Sequence, residues 1–330
     1  MLASPAGVLL HIPDGFLAFL VSLACWLLAL AILSIAVVAT RREFDERLVP
    51  LAGIMAAFIF AAQMLNFPVA GGTSGHFVGA ALAFIVLGPW LGMLAMTAVI
   101  AVQALVFQDG GLVAMGANIL VMAAVPGLVA YAIYRLGAGR PHRTRMILAG
   151  TGAWLSIVVA ALIVALLLAF SGTSSLNLVL PAMVGIHMLV GIGEALITVA
   201  ALTFIGRARP AVLAQEQTEG NGGWVVVIGG LVVALIAVLL APFASGHPDG
   251  LEWVAQSAGF LSLADSSGIS LLPDYTIPVL GSSGLSTVAA GVAGVLLIAG
   301  LAGLASRILR GRAQTERVPS SPEQRSRAAR

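Results

Sequence analysis

The chain has 330 residues, of which 60% are hydrophobic and only 9% are charged, and its formal net charge is +2. A water-soluble protein of this length needs a polar shell around its core, and too few polar residues are present to form one. The composition therefore excludes a soluble globular protein and predicts an integral membrane protein. Lysine is absent, which excludes a Walker A phosphate loop and Schiff-base chemistry, so any ATP hydrolysis must come from another subunit.

Apolar runs that suit membrane-spanning helices, which need about 20 residues, follow one another along the chain. They occupy residues 17–40, 48–66, 77–88, 90–107, 116–135, 146–170, 181–206, 223–243 and 284–306. The third run is short and ends at Gly88-Pro89, which favours a tight hairpin with the fourth. The predicted fold class is an all-α polytopic membrane protein, with a seven-helix domain and a two-helix appendage.

The arginines test the topology, because every basic residue apart from histidine is an arginine. The first apolar run is followed by arginines at 41, 42 and 47, and the fifth run by arginines at 135, 140, 143 and 145. Those at 207 and 209 follow the seventh run, and the others, from 307 onward, follow the ninth. With nine spans and an amino terminus outside the cell, all sixteen lie on the cytoplasmic side, as the positive-inside rule requires. The carboxyl terminus is then inside.

Composition shifts divide the chain into five segments. The seven-helix domain covers 10–207, a polar cytoplasmic linker covers 208–222, and the two-helix domain covers 223–306. Residues 1–9 precede the first domain as a leader, and the basic tail 307–330 is predicted to be disordered. An outer loop, 244–283, joins the last two spans and shows little helical periodicity.

Histidine and acidic residues are concentrated on the predicted outer side. His142 lies in a cytoplasmic loop and is read as solvated, whereas four histidines reach the outer loops or the adjacent helix ends: His11, His76, His187 and His247. The acidic residues predicted outside are Asp14, Asp109, Asp249, Glu252, Asp265 and Asp274. Imidazole is a favoured ligand of nickel, cobalt, copper and zinc, and an acidic face concentrates cations. The sequence therefore predicts an outward site for a cation.

Two alternatives stay open for the polar residues of the later spans. His187 and Glu194 are seven positions apart and share one helix face. They could contact the metal or could only pair helices, since ionisable groups in a membrane tend to be paired and functional. Asn66, Gln103 and Asn118 are interpreted as hydrogen-bonding links between helices and loops. Neither an HExxH nor a GxSxG motif occurs, so no enzyme is predicted.

Four segments resemble the CbiM/NikM family, the substrate-binding membrane components of cobalt and nickel energy-coupling factor transporters. The first is the His11–Leu17 segment (HIPDGFL), and the second runs from Asn66 through Ser74 to His76. The later two are the segment from Gln108 through Asp109 to Asn118, and HMLVGIGE from His187 to Glu194. The segments occur in the family's order and cover residues 10 to about 207.

The resemblance implies a metal site built from nitrogen atoms. In the family the ligands are the terminal amine, the backbone nitrogen and imidazole of the histidine at position two, and a second histidine. Carried over, the two histidines are His11 and His76, with Asp14 in a supporting position. Such a set suits Ni²⁺, with Cu²⁺ as a competitor. Ten residues precede His11 here, so we expect Leu10 to be the true start, translated from a non-standard initiation codon.

The carboxy-terminal part resembles the PDGLE, or CbiN/NikN-like, domain through Pro248-Asp249-Gly250-Leu251-Glu252. The resemblance makes His247, Asp249 and Glu252 candidates for transient cation contacts. The alternative is that Pro-Asp-Gly forms a turn and caps a short helix.

Together these features predict a metal-capturing transport component of the cell membrane, with Ni²⁺ or Co²⁺ as the transported substrate, no bound cofactor and no activity as an enzyme. The resemblance implies a CbiQ/NikQ-like transmembrane coupling protein and CbiO/NikO-like ATPase subunits as partners, in a lipid bilayer and without nucleic acid. The alternative function is a stand-alone divalent metal channel or an ion-coupled secondary carrier. Such a carrier would want ionisable groups deep in the membrane, and Glu194 is the one that qualifies.

Overall fold

The computed structural model describes residues 11–42, 48–208, 223–265 and 271–316. The predicted leader 1–9, nearly all of the linker 208–222 and the tail beyond residue 316 lie outside the described residues. The described chain is mostly helical, as predicted.

Eight α-helices form the first domain. They are α1 (Phe19–Arg42), α2 (Leu48–Gln63), α3 (Ala80–Leu87), α4 (Pro89–Val102), α5 (Met115–Ile119), α6 (Val125–Arg135), α7 (His142–Phe170) and α8 (Leu176–Ala208). Two π-helical segments continue this set: Gln103–Phe107 extends α4, and Leu120–Ala124 joins α5 to α6. A two-residue antiparallel ladder pairs β1 (Phe67–Pro68) with β2 (Ser74–Gly75).

The second domain has two long helices and a short one between them. These are α9 (Gly223–Leu240), α10 (Gly250–Ala258) and α11 (Gly284–Glu316). Helix α10 lies inside the loop 244–283, where little helix was predicted from the sequence. It forms because the Asp249 carboxylate accepts a hydrogen bond from the Glu252 N–H at 2.7 Å, which caps the helix start. The predicted cap of a short helix is therefore present, and cation contacts by these residues stay a prediction.

The described chain contains six helices long and apolar enough to cross a membrane, and two shorter apolar helices at Leu48–Gln63 and Ile228–Phe243. The protein is thus a multi-pass membrane protein. Helix α3 has only eight residues, or roughly 12 Å at 1.5 Å per residue, and is too short to cross the hydrocarbon core alone. Gly88, at φ +79°, turns the chain directly into α4, which begins at Pro89. The total of nine spans and the orientation stay predictions.

Helix α2 is the element on which the two domains meet. Helices α9 and α11 both pack against it, and glycines make the close approach possible. A Cβ on Gly53 would lie 2.4 Å from the Ala302 Cβ, and one on Gly294 would lie 2.2 Å from the Phe60 Cζ. The described helices of the second domain are thus packed directly on the first domain.

We expect Gly294→Ala to destabilise the protein by about 1–3 kcal/mol, because the added methyl overlaps a fully buried phenyl ring. Gly300→Ala on the same helix is the matched control, since its Cβ would meet no atom within 4 Å. Thermal unfolding of both variants in detergent measures the difference. Equal melting temperatures for the two variants would contradict the described packing.

Candidate metal-binding site

The segment that begins at His11 is fixed to the loop between α4 and α5. The Ile12 N–H donates to Asn118 Oδ1 and the Asn118 side-chain amide donates back to the Ile12 carbonyl, each at 3.0 Å. Two residues on, the Asp14 carboxylate accepts hydrogen bonds from Leu112 N–H at 3.0 Å and Ala114 N–H at 2.9 Å. The predicted linking role of Asn118 is confirmed, and Asp14 acts on backbone groups.

His11 is held by Asp109 within this contact. Its Nδ1 lies 3.0 Å from the Asp109 carbonyl oxygen and 3.0 Å from Asp109 Oδ1. Its Nε2 is buried and makes no hydrogen bond. A histidine that donates one ring N–H to a carboxylate or carbonyl presents its other nitrogen as a metal ligand, with tautomer and ring orientation fixed. His11 therefore has the arrangement of a metal-ligating histidine, with Nε2 as the available nitrogen.

His76 follows the β1–β2 ladder and stands just before α3. At Gly75 a Cβ would lie 2.7 Å from Val190 Cγ2 of α8, so only glycine permits this approach. Beyond His76, the Glu194 carboxylate accepts hydrogen bonds from Val78 N–H at 2.7 Å and Gly79 N–H at 3.0 Å. Of the two readings of Glu194, the structure supports the structural one, because both of its oxygens hold the backbone that follows His76.

The two histidines meet, although 65 positions separate them. Their ring centres are 5.9 Å apart, and the rings are nearly perpendicular, at 88°. Nitrogen–metal bonds of about 2.0–2.1 Å place the centres of two imidazoles that share an ion at most roughly 6.5 Å apart. The observed separation is within that reach.

A small cavity of about 80 Å³ lies against both rings. Its polar lining includes His11, His76, His187 from α8 and Asp249 from the second domain. The Nδ1 of His187 lies 2.7 Å from its own helix carbonyl at Met183, so this ring too presents Nε2 toward its surroundings. Asn118 also lines the cavity, so the structure brings together five of the residues singled out in the sequence.

The pair of His11 and Asp109 sets the charges beside the cavity. Burial alone would lower the pKa of His11, but the Asp109 carboxylate beside it raises that pKa overall. Burial and the neighbouring His11 lower the pKa of His76 to about 4, so His76 is neutral at pH 7, which is its metal-binding form. Burial would raise the pKa of Asp109, but His11 and a hydrogen bond from Tyr275 lower it, so a negative charge stands behind His11.

Within the described part of the chain, no three His, Cys, Asp or Glu side chains converge closely enough to hold a metal ion. Two imidazoles therefore need backbone nitrogen, an amine or water to complete a coordination sphere. When one histidine chelates a metal ion through its backbone nitrogen and its imidazole, the ring nitrogen that coordinates is Nδ1. In this conformation the Nδ1 of His11 is hydrogen-bonded to Asp109 instead. The ligand set implied by the family resemblance thus requires the His11 ring to turn.

The remaining sequence candidates lie around the cavity without lining it. The Ser74 hydroxyl donates to the His247 carbonyl at 2.8 Å, and the Asn66 carbonyl accepts from Ser245 N–H at 2.8 Å. The His247 side chain is exposed, and Glu252 Oε1 accepts from Gln256 Nε2 at 3.1 Å. Ser74 and Asn66 thus join the outer loop to the first domain, whereas the Glu252 bond lies within α10. Metal contacts by these residues stay predictions.

The outer loop of the second domain covers the site. The Ser74 N–H donates to the Pro248 carbonyl, the Asp265 N–H donates to the Asp14 carbonyl, and the Leu272 N–H donates to the Val106 carbonyl, at 2.8–2.9 Å. The loop also brings Tyr275, whose hydroxyl donates to Asp109 Oδ2 at 2.5 Å. Sequence reasoning missed Tyr275, and no motif could have found it, because its role depends on a contact between domains.

These contacts first define a class of protein: a multi-pass membrane protein with two buried histidines at one cavity between helix ends. Residues 11–212 match the family described as "Cobalt uptake substrate-specific transmembrane region", CbiM, and residues 223–311 match the PDGLE domain. The chain therefore belongs to the CbiM family and carries a PDGLE domain fused to its carboxyl side.

Curated relatives share this fused architecture. The chain is 37% identical to a "Putative fused nickel transport protein NikMN" of Archaeoglobus fulgidus over 88% of its own length and 96% of that protein. It is 30% identical to a "Fused nickel transport protein NikMN" of Rhodobacter capsulatus over 94% of its length and 100% of that protein. A "Cobalt transport protein CbiM" of Sorangium cellulosum is 32% identical over 62% of this chain and 93% of that protein. All three are named as transport proteins.

A solved structure is also similar. The "Crystal Structure of an Truncated Transition metal Transporter" matches with a TM-score of 0.55 and 33% sequence identity, over 60% of this chain and 99% of that one. The fold of the matched part is therefore that of a metal transporter.

We expect Glu194→Gln to cost about 1–3 kcal/mol of stability, because an amide in place of the carboxylate leaves a buried N–H without a good acceptor. The matched control is Thr198→Val, one turn along α8. The Thr198 hydroxyl is buried and has no hydrogen-bond partner, so its loss should be neutral. Detergent melting curves compare the two. A Glu194→Gln protein as stable as Thr198→Val would argue against the described link.

Proposed function

We propose that the chain captures Ni²⁺ or Co²⁺ between His11 and His76 and serves as the substrate-binding component of an energy-coupling factor importer. The cation would enter from the extracytoplasmic side. The chain itself would hydrolyse nothing.

The observation that carries the proposal is the meeting of two buried imidazoles at one cavity. His11 is only 2% exposed and His76 9%, and removing imidazole from water is costly unless the ring has a partner. The His11 Nε2 has none within the described chain, and an ion within the cavity would supply it. The carboxylate behind His11 adds the negative charge that a dication needs.

The relatives support nickel first and cobalt second. Two of the fused proteins over which this chain aligns almost completely are named for nickel transport, whereas the cobalt protein quoted above matches the first domain. Imidazole and other nitrogen ligands accept both ions. Fusion to the PDGLE domain is the feature shared with the nickel proteins.

Capture from the extracytoplasmic side is supported by the positions of the arginines, which lie at the helix ends far from the cavity. His11 precedes α1 and the arginines Arg41 and Arg42 end it, roughly 36 Å away along a helix of 24 residues. Arg135 ends α6 and Arg207 stands in the last turn of α8, beyond the residues that line the cavity. The positive-inside rule then assigns the cavity to the outer face and the arginines to the cytoplasm.

Import would require partners for energy. The chain lacks lysine and therefore a Walker A loop. We propose a CbiQ/NikQ-like coupling protein and CbiO/NikO-like ATPase subunits, which would reorient the first domain so that the ion faces inward. The alternative of a channel or ion-coupled carrier needs an available carboxylate in the membrane. Glu194 is committed to two backbone N–H groups, so we favour the importer.

Removal of either imidazole should abolish tight binding. We expect His11→Ala and His76→Ala to weaken Ni²⁺ binding to the purified full chain by at least about 100-fold, more than the 10- to 100-fold typical of outer-shell changes. His142→Ala, at the exposed start of α7, is the matched control and should bind normally. Isothermal titration calorimetry measures all three. Unchanged affinity in His76→Ala would contradict the proposed site.

Uptake should depend on the partners. Vesicles that contain this chain alone should bind labelled nickel but not accumulate it, and accumulation should require the coupling protein, the ATPases and ATP. A filter assay with the ionophore-treated vesicles as control separates binding from accumulation. Concentrative uptake by the chain alone would favour the carrier.

A further inference from the structure

Tyr275 of the fused domain reaches the metal site without lining its cavity. It lies in the outer loop, is 6% exposed, and its hydroxyl donates to Asp109 Oδ2 at 2.5 Å. The same hydroxyl accepts a hydrogen bond from Gln103 Nε2 at 3.1 Å. The second domain thus contributes one buried polar group to the network behind the two histidines.

Asp109 connects this tyrosine to the His11 imidazole. One carboxylate oxygen, Oδ2, accepts from Tyr275, while the other, Oδ1, lies 3.0 Å from His11 Nδ1. The hydrogen bond from Tyr275 fixes the rotation of the carboxylate about its Cβ–Cγ bond. This rotation keeps Oδ1, which itself accepts no hydrogen bond, in ion-pair contact with the His11 ring. Without the tyrosine hydroxyl, only the contact with His11 would fix the rotation of the carboxylate. The orientation of the His11 imidazole ring would then be less defined.

The same network leads to the backbone beside His76. Gln103 Nε2 also donates to Gln63 Oε1 at 2.7 Å, and Gln63 Nε2 donates to the Val78 carbonyl at 2.7 Å. Val78 is two residues beyond His76. Side-chain hydrogen bonds therefore run from the Val78 carbonyl to the Asp109 carboxylate, and Tyr275 is the link between Gln103 and that carboxylate. The other carboxylate oxygen contacts the His11 ring.

The tyrosine ring is placed by packing that does not involve its hydroxyl. It stacks on Phe107 with ring centres 4.9 Å apart at 20°, and it lies 6.0 Å from Phe60. A phenylalanine at this position would keep both contacts. The role of the hydroxyl can therefore be tested apart from the packing of the loop.

We infer that Tyr275 is a positioning residue for the cation site, whose hydroxyl orients Asp109 and through it the His11 imidazole. The inference rests on the proposed function and deepens it. It makes the fused domain part of the binding machinery, because the geometry of a ligand in the first domain depends on a side chain of the second.

The test is Ni²⁺ titration of the full-length Tyr275→Phe protein in detergent. We expect the Kd to rise about tenfold, at the lower end of outer-shell effects in metal sites. The protein without metal should melt somewhat earlier than the wild type, because Asp109 Oδ2 loses its donor, so Kd is compared at a temperature where both proteins are folded. The matched control is Tyr131→Phe, which removes a hydroxyl from α6 beside Arg135, away from the cavity, and should leave Kd unchanged.

Two further readouts separate positioning from a general structural effect. The ligand-field absorption of bound Cu²⁺ should shift in Tyr275→Phe and not in Tyr131→Phe. In a double-mutant cycle, Tyr275→Phe should add little to the loss caused by Asp109→Asn, because both changes act on one link.

The outcomes are distinct. A Tyr275→Phe protein with the wild-type Kd and the wild-type Cu²⁺ spectrum overturns the inference. Fully additive losses of affinity in the double-mutant cycle also overturn it. In both cases, nickel binding that depends on His76 would still uphold the proposed function. Absence of nickel binding by the wild-type chain would instead defeat the proposed function itself.

Discussion

The contact between His11 and Asp109 is the interaction on which the rest of the site depends. The histidine precedes the first helix, and the aspartate follows a π-helical turn almost a hundred residues later. Without this contact no hydrogen bond within the described chain would fix the direction of the His11 imidazole. The reciprocal pair between Ile12 and Asn118, and the hydrogen bonds to Asp14, hold the same two segments in register around it. His76 then needs only to be brought within about 6 Å.

Glycines and a buried carboxylate bring His76 there. Gly75 lets the chain touch α8, and Glu194 fixes the turn beyond the histidine. The second domain closes the arrangement from outside through its outer loop, and its long helices pack on α2. Fusion of the two domains therefore has a physical consequence: the loop that covers the cavity has its ends anchored in helices that pack on the first domain.

Much of this architecture could be predicted from the sequence. Apolar runs and arginine positions indicated a multi-pass helical protein, and histidines on the predicted outer side indicated a cation site. The choice of His11 and His76 among them came from the family resemblance. The short helix α10 was open only as one alternative, at the turn that Asp249 caps. Tyr275 could not be predicted, because it acts through a tertiary contact that no local pattern encodes. Glu194 was ambiguous because spacing on a helix face does not distinguish a metal ligand from a backbone acceptor.

The most direct test of the central claim is anomalous diffraction at the nickel edge from crystals of the full chain grown with Ni²⁺. The account predicts one dominant peak in the cavity, about 2 Å from a ring nitrogen of His11 and from one of His76. A dominant peak at any other place, or a bound ion that only one of these two imidazoles contacts, would contradict it.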